Sequence, residues 1–253
     1  MKFKILQTGS YGNAYIANIG DVNILIDCGK GCAKYVYSYL NANNLTLNHS
    51  LLSHSHSDHD GEFAKFQHIS PEFSGDIFQE NGLFIARFLV EHDVKNYGYL
   101  IKKGKDAIVF AVDFSEISNV NLTKIRKELI TCKRVIFAIE LSYNVFIFHK
   151  MKKEVLNMQP TANDYIHRMS KLKGLSRHCS DEYFTKILSY FLVNQTFEYE
   201  IITLHRSGEG LSTAPTLAGW NNPNVAKMYF ANIGLKRLFR NIQIGMAGSE
   251  VII

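Results

Sequence analysis

The chain opens with short apolar runs between glycine turns. Lys2–Gln7, Tyr15–Asn18 and Val22–Asp27 alternate or run apolar, a pattern that predicts an opening β-meander. Cys32–Leu40 is aromatic-rich at roughly helical spacing and predicts the first helix. Leu51–Ser53 then leads into a loop crowded with histidine. Phe84–Val90, Tyr97–Lys102 and Ala107–Val112 predict three strands, with Gly104 in the last turn, and Arg134–Ile139 a buried one. Asn163–Leu172 and Asp181–Val193 predict helices, and Tyr199–Leu204 predicts a strand ending at His205. Pro223–Phe239 predicts a terminal helix, and the glycine- and alanine-containing end a further short strand. No repeat, low-complexity tract or linker divides the chain, which reads as one domain over residues 1–253.

Composition narrows the class. With 253 residues, 46 % of them apolar, the chain has enough material for one full core and is not of the disordered type. No apolar run approaches the ~20 residues that cross a bilayer, so no membrane partner is expected. Met1-Lys2-Phe3-Lys4-Ile5-Leu6 reads as a charged, alternating strand rather than a secretory signal. Cys28, Cys32, Cys132 and Cys179 lack Cys-x-x-Cys spacing, and the expectation is reduced thiols in a cytoplasm. The formal charge of +5 suits a polyanionic substrate, though it is modest and spread along the chain.

The candidate chemistry is concentrated in His54-Ser55-His56-Ser57-Asp58-His59, three imidazoles and a carboxylate in six positions directly after Leu51-Leu52. Imidazole with carboxylate suits zinc, manganese or iron. The His-x-His pair needs an extended strand end or loop to converge on one ion, and Asp58 with His59 can serve a second. Further polar residues end apolar strands: His92 after Phe88-Leu89-Val90-Glu91, Asp113 after Ile108–Val112, and His205 after Ile201–Leu204.

His-x-His-x-Asp-His after a hydrophobic strand resembles the signature of the metallo-β-lactamase fold. Thr8-Gly9-Ser10-Tyr11-Gly12-Asn13 looks like that family's glycine-rich turn, Ile24-Leu25-Ile26-Asp27-Cys28-Gly29 like its strand ending in a structural aspartate, and His92-Asp93-Val94-x-x-Tyr97-Gly98-Tyr99 like its third motif. The resemblance covers nearly the whole chain and implies an α/β fold, the four-layer αβ/βα sandwich, with metals at one edge of two facing sheets. It implies that His54, His56 and His92 hold one ion, Asp58, His59 and His205 another, with Asp113 between them and Asp27 orienting the ligand loop. The implied cofactor is two divalent ions, Zn2+ first and Mn2+ as the alternative. Such ions lower the pKa of bound water and clamp substrate oxygens, so hydrolysis needs no protein nucleophile.

Lys173-Gly174-Leu175-Ser176-Arg177-His178-Cys179-Ser180 resembles the Gly-His-Leu-Ser-Asn motif of the phosphodiesterase branch, which includes ribonuclease Z and the YycJ-like nucleases. Glu140-Leu141-Ser142-Tyr143-Asn144 resembles its Glu-x-Asn-Tyr stretch. By resemblance His178 assists the leaving oxygen and Glu140 orients it, while Ser142, Asn144 and Arg177 contact substrate. Arg177 replaces the motif's glycine and Asp181 its asparagine.

Asp113 and His205 are too close in sequence for the large extra domain of ribonuclease J, and no glycine-proline arm like that of ribonuclease Z is evident. The compact shape resembles the phage-encoded anti-Pycsar proteins, homodimeric enzymes that hydrolyse cyclic mononucleotide signals. That resemblance makes a cyclic nucleotide the expected substrate and a homodimer the expected assembly, with Tyr11, Tyr143, Phe146 and Phe148 as loop aromatics that could stack a base. The alternative is a YycJ-like nuclease acting on DNA or RNA. A thioesterase or lactonase, and a metal-binding sponge without activity, complete the set.

Overall fold

Most strands of this protein are apolar on both faces, which decides the layering. The computed structural model describes residues 1–9, 12–142, 145–158, 160, 163–204, 239, 241–245 and 247–253. A five-stranded sheet is formed by β1 (Lys2–Gln7), β2 (Ala14–Ile19), β3 (Val22–Cys28), β4 (His49–Leu51) and the late strand β12 (Glu250–Ile252), in the order β12-β1-β2-β3-β4. A seven-stranded sheet is formed by β5 (Ile77–Glu80), β6 (Leu83–Val90), β7 (Asn96–Lys103), β8 (Asp106–Ala111), β9 (Arg134–Glu140), β10 (Glu198–Leu204) and β11 (Ile242–Ile244), in the order β11-β10-β9-β8-β7-β6-β5. Pairing is antiparallel from β5 to β8 and parallel from β8 to β11.

Side chains alternate across each strand, so each sheet feeds two cores. Ile108 and Phe110 of β8, Ile136 and Ala138 of β9 and Ile202 of β10 face Phe3, Ile5, Tyr15, Ile24 and Ile26 of the other sheet. Val109, Val135, Phe137 and Ile201 point the opposite way, against α3 (Asn119–Leu129) and α6 (Asp181–Leu192). On the far side of the five-stranded sheet, Leu6, Ile16 and Leu25 pack on α1 (Ala33–Ala42). The layers are therefore helix, sheet, sheet, helix: the expected αβ/βα sandwich. Parallel β8 and β9 are covered on both faces, which is why they read as unbroken apolar runs.

Several elements escaped the sequence pattern, β5, α3 and α4 (Val145–Leu156) among them. β5 is a four-residue, largely exposed edge strand with no alternation to betray it. α3 buries only Leu122, Ile125 and Leu129 and leaves Val120 exposed among polar residues, although Ser118 caps it by accepting from the Asn121 amide at 3.3 Å. The stretch expected as aromatic loop is helix α4 (Val145–Leu156), and Phe148 packs on the core rather than waiting for a base. The helix expected over Asn163–Leu172 runs on to Leu175 as α5. The short terminal strand is two, β11 and β12. Tyr11, Tyr143 and nearly all of the expected helix Pro223–Phe239 lie outside the described residues.

Candidate metal centre and active site

The carboxyl ends of β3, β6, β8 and β9 meet at one edge of the two sheets, and each delivers a polar side chain there: Asp27, His92, Asp113 and Glu140. The loop after β4 carries His54 and His56 and enters a single turn of helix, α2 (Ser57–Asp60), that carries Asp58 and His59. Close backbone contact holds this turn in place. The Asn13 amide donates to the Asp58 carbonyl at 2.7 Å and the Lys30 amide to the Ser57 carbonyl at 3.0 Å. A Cβ on Gly29 would fall 1.9 Å from the Asp58 carbonyl oxygen, so only glycine fits beneath the turn.

Hydrogen bonds fix the ring orientations. Asp27, fully buried, accepts from the Ser53 amide at 2.7 Å, the Ser53 hydroxyl at 2.8 Å and His59 Nδ1 at 2.7 Å. With its proton given to Asp27, the Ser53 hydroxyl accepts from His54 Nδ1 at 3.0 Å. Both imidazoles thus present Nε2 to Asp113, at 3.4 Å from His54 and 2.9 Å from His59. Asp27 and Asp113 hold left-handed backbones, with φ of 58° and 50°, unusual for residues other than glycine. Such strain collects at working sites.

Two groups of donors converge. His54 Nε2 lies 3.0 Å from His56 Nδ1, which lies 3.4 Å from His92 Nε2. These three with Asp113 form one candidate metal group, and Asp58, His59 and Asp113 form a second. Donors around an ion at ~2.0–2.2 Å stand about 3.0–3.5 Å apart, and imidazole with carboxylate is a zinc or manganese donor set. The residues fit a metal, and Asp113 belongs to both groups.

Without a metal, charge settles on the imidazoles unevenly. Burial would lower the pKa of His59, but the carboxylates of Asp113 and Asp27 outweigh it and push it up to about 10. For His92 burial prevails and the pKa falls. A metal at His59 must therefore displace a proton.

Beside the two groups stands a third. Fully buried Glu140 accepts from His178 Nδ1 at 2.7 Å, from the Phe114 amide at 3.0 Å and from the Ser142 hydroxyl. His178 Nδ1 also lies 3.4 Å from Asp113. Burial would lower the His178 pKa, but Glu140 and then Asp113 push it up to about 9. Asp113 connects the metal groups to this pair.

Of the residues expected at the site, His54, His56, Asp58, His59, His92, Asp113, Glu140, His178 and Asp27 are brought together here. Ser142 is buried, with its hydroxyl on Glu140. Arg177 pairs with Asp93. His205 and Asn144 lie outside the described residues. The sequence reading missed the working parts played by Asn13 and Ser53. The Asn13 side chain donates to the Asp58 carbonyl at 3.2 Å and contacts His59 Nε2 at 2.9 Å. Its place in the glycine-rich turn was the only signal.

Comparison with known proteins agrees with the architecture. Residues 8–71 match the model of the metallo-beta-lactamase superfamily. The chain is 36 % identical over 70 residues to the lactamase-like protein adaB of Aspergillus niger, and 33 % identical over 72 residues to an atrochrysone carboxyl ACP thioesterase of Aspergillus terreus. The stretches cover 26 % and 27 % of this chain and only 22 % of each relative. Among solved structures, the metallo-beta-lactamase fold protein YhfI of Bacillus subtilis superposes with a TM-score of 0.61 at 15 % identity, over 99 % of this chain and 98 % of that one. Human tRNase Z, short form, gives 0.59 at 11 % identity over 100 % and 99 %. A diphosphatase of the PhnP family gives 0.54 at 11 % over 100 % and 97 %. The protein has the metallo-β-lactamase fold, and its residues 8–71 carry the sequence signature of that superfamily.

Proposed function

We propose that this protein is a metal-dependent phosphodiesterase that opens cyclic mononucleotides, converting a 3′,5′-cyclic nucleotide and water to the nucleoside 5′-monophosphate. The observation that carries the reading is the His178–Glu140 pair, 2.7 Å apart and joined to the two metal groups through Asp113. A carbon-centred hydrolase of this fold has no need of a protonated imidazole clamped beside its metals.

In this reading His54, His56, His92 and Asp113 hold one divalent ion, Asp58, His59, Asp113 and His205 the other. Bound there, Zn2+ or Mn2+ supplies an activated water and charge stabilisation of the phosphoryl oxygens. Asp27 and Ser53 keep Nε2 of His54 and His59 turned inward. Glu140 takes Nδ1 of His178 and favours its charged form, so the proton for the substrate sits on Nε2. As the P–O3′ bond breaks, His178 gives that proton to the departing 3′ oxygen. Arg177 contributes positive charge beside the site. Chain from Asp113 to Leu204 is taken up by α3, β9, α4 to α6 and β10, a compact frame suited to a small diester. The biological role that follows is destruction of cyclic-nucleotide signals, as in phage counter-defence, by a homodimer.

A second reading, a nuclease, is favoured by one observation. Arg87 lies over Phe73 at 4.9 Å and Tyr97 at 4.8 Å, and Lys95 over Tyr97 at 5.3 Å, a basic and aromatic run beside the ligand loop of the kind that grips single strands. Metal-reconstituted protein offered 3′,5′-cyclic mononucleotides and, separately, single-stranded DNA and RNA decides between them. Opening of the cyclic compounds with strands intact supports the first reading. Cut strands with cyclic compounds untouched establish the second.

A further inference from the structure

The chain places a carboxylate, Asp93, beside two imidazoles of the first metal group. It follows His92 in the turn after β6, and its Oδ1 lies 3.0 Å from His92 Nε2 and 3.7 Å from His56 Nε2. Its second oxygen, Oδ2, accepts from Arg177 Nη1. Arg177 comes from the segment between α5 and α6 and immediately precedes His178, whose ring is engaged by Glu140 and Asp113. One short segment therefore brings an imidazole to Glu140 and Asp113 and a guanidinium to Asp93.

We propose that Asp93 is a specificity-determining residue: its carboxylate stands where a phosphoryl oxygen of the substrate would stand, and it exchanges Arg177 with the incoming phosphodiester. This inference rests on the phosphodiesterase reading. The exchange is cheap on the protein's side. The side chains of Arg177 and Asp93 are 51 % and 32 % exposed, and pairs so placed are held by a factor of about five or less. A phosphodiester offers the guanidinium two oxygens in its own plane, the stronger arrangement. An uncharged substrate such as an ester or lactone has nothing to exchange, so the pair stays closed and disfavours it. The selection is for anions.

The test is calorimetric binding of inorganic phosphate to the metal-loaded protein, beside KM and kcat for a 3′,5′-cyclic nucleotide and a measured metal content. Four forms are compared: wild type, Asp93→Asn, Arg177→Ala and the double variant. Both positions are exposed at the surface, so folding is not at stake. Asp93→Asn should tighten phosphate and lower KM by about two- to fivefold. Arg177→Ala should weaken both by about tenfold or more. In the Arg177→Ala background, Asp93→Asn should add nothing, because no guanidinium is left to release. An equal gain in both backgrounds would mean that Asp93 merely repels anions, and overturns the proposal. So would unchanged affinity in all four, or loss of metal from Asp93→Asn, which would make it a ligand. Failure of the underlying reading looks different: the wild type itself would bind no phosphate and open no diester.

Discussion

Glu140 holds His178 by Nδ1 at 2.7 Å while its other carboxylate oxygen is anchored by the Phe114 amide at 3.0 Å. A fully buried carboxylate pinned in this way cannot swing aside, so it fixes the ring and its charge together. Glu140→Gln keeps the shape and removes the charge. Glu140 favours imidazolium, so its loss lowers the His178 pKa, and the fraction of protonated His178 declines at lower pH than before. The alkaline limb of the pH–rate profile on an unactivated diester should move to lower pH, with the metals retained. A limb in its original place would detach Glu140 from the acid.

His178→Ala should bind the same metal complement and lose about 10²–10⁴-fold in kcat on an unactivated diester, the range typical of a general acid. On a nitrophenyl diester, whose leaving group needs no proton, the loss should be much smaller. Equal losses on both substrates would assign His178 to binding rather than to proton transfer.

Asp27 bonds His59 directly and reaches His54 through the Ser53 hydroxyl, and so sets the orientation of both. Asparagine at this position must turn an N–H toward a donor. Asp27→Asn should weaken metal affinity by about 10- to 100-fold, as losses of an orienting carboxylate do elsewhere. Competition against a chromophoric chelator measures it, and unchanged affinity would contradict the relay.

Gly29 lies beneath the α2 turn with no space for a methyl group. Gly29→Ala should destabilise the protein by about 1–3 kcal/mol, the usual cost of forcing an atom into a filled site. It should also displace Asp58 and His59. Thermal unfolding and metal content in one preparation test both, and a variant as stable as wild type and fully metallated would refute the close approach.

Much of the fold was legible because the central strands are buried on both faces. Val109, Phe110, Phe137 and Ile201 read as strand whatever their neighbours do, and the layering follows from where their side chains go. What stayed hidden were elements whose signal is made by tertiary contact: the exposed edge strand β5, the polar helix α3 with its three buried residues, and α4, whose aromatics imitate a loop. At the site, the crowding of His54, His56, Asp58 and His59 exposed itself by composition, and Asp113 and Glu140 by ending apolar strands. Asn13, Ser53 and Asp93 carry common residue types in turns, and only the folded geometry gives them partners. The left-handed backbones of Asp27 and Asp113 had no sequence mark at all.

The most direct test of the central claim is hydrolysis by protein stripped with chelator and then reloaded with Zn2+ or Mn2+, assayed on a 3′,5′-cyclic nucleotide, a thioester and a lactone. A phosphodiesterase built as described is silent after stripping and recovers on reloading, with P–O cleavage exceeding the other two reactions. Reloaded protein that cleaves the thioester or lactone while leaving every phosphodiester intact would contradict it.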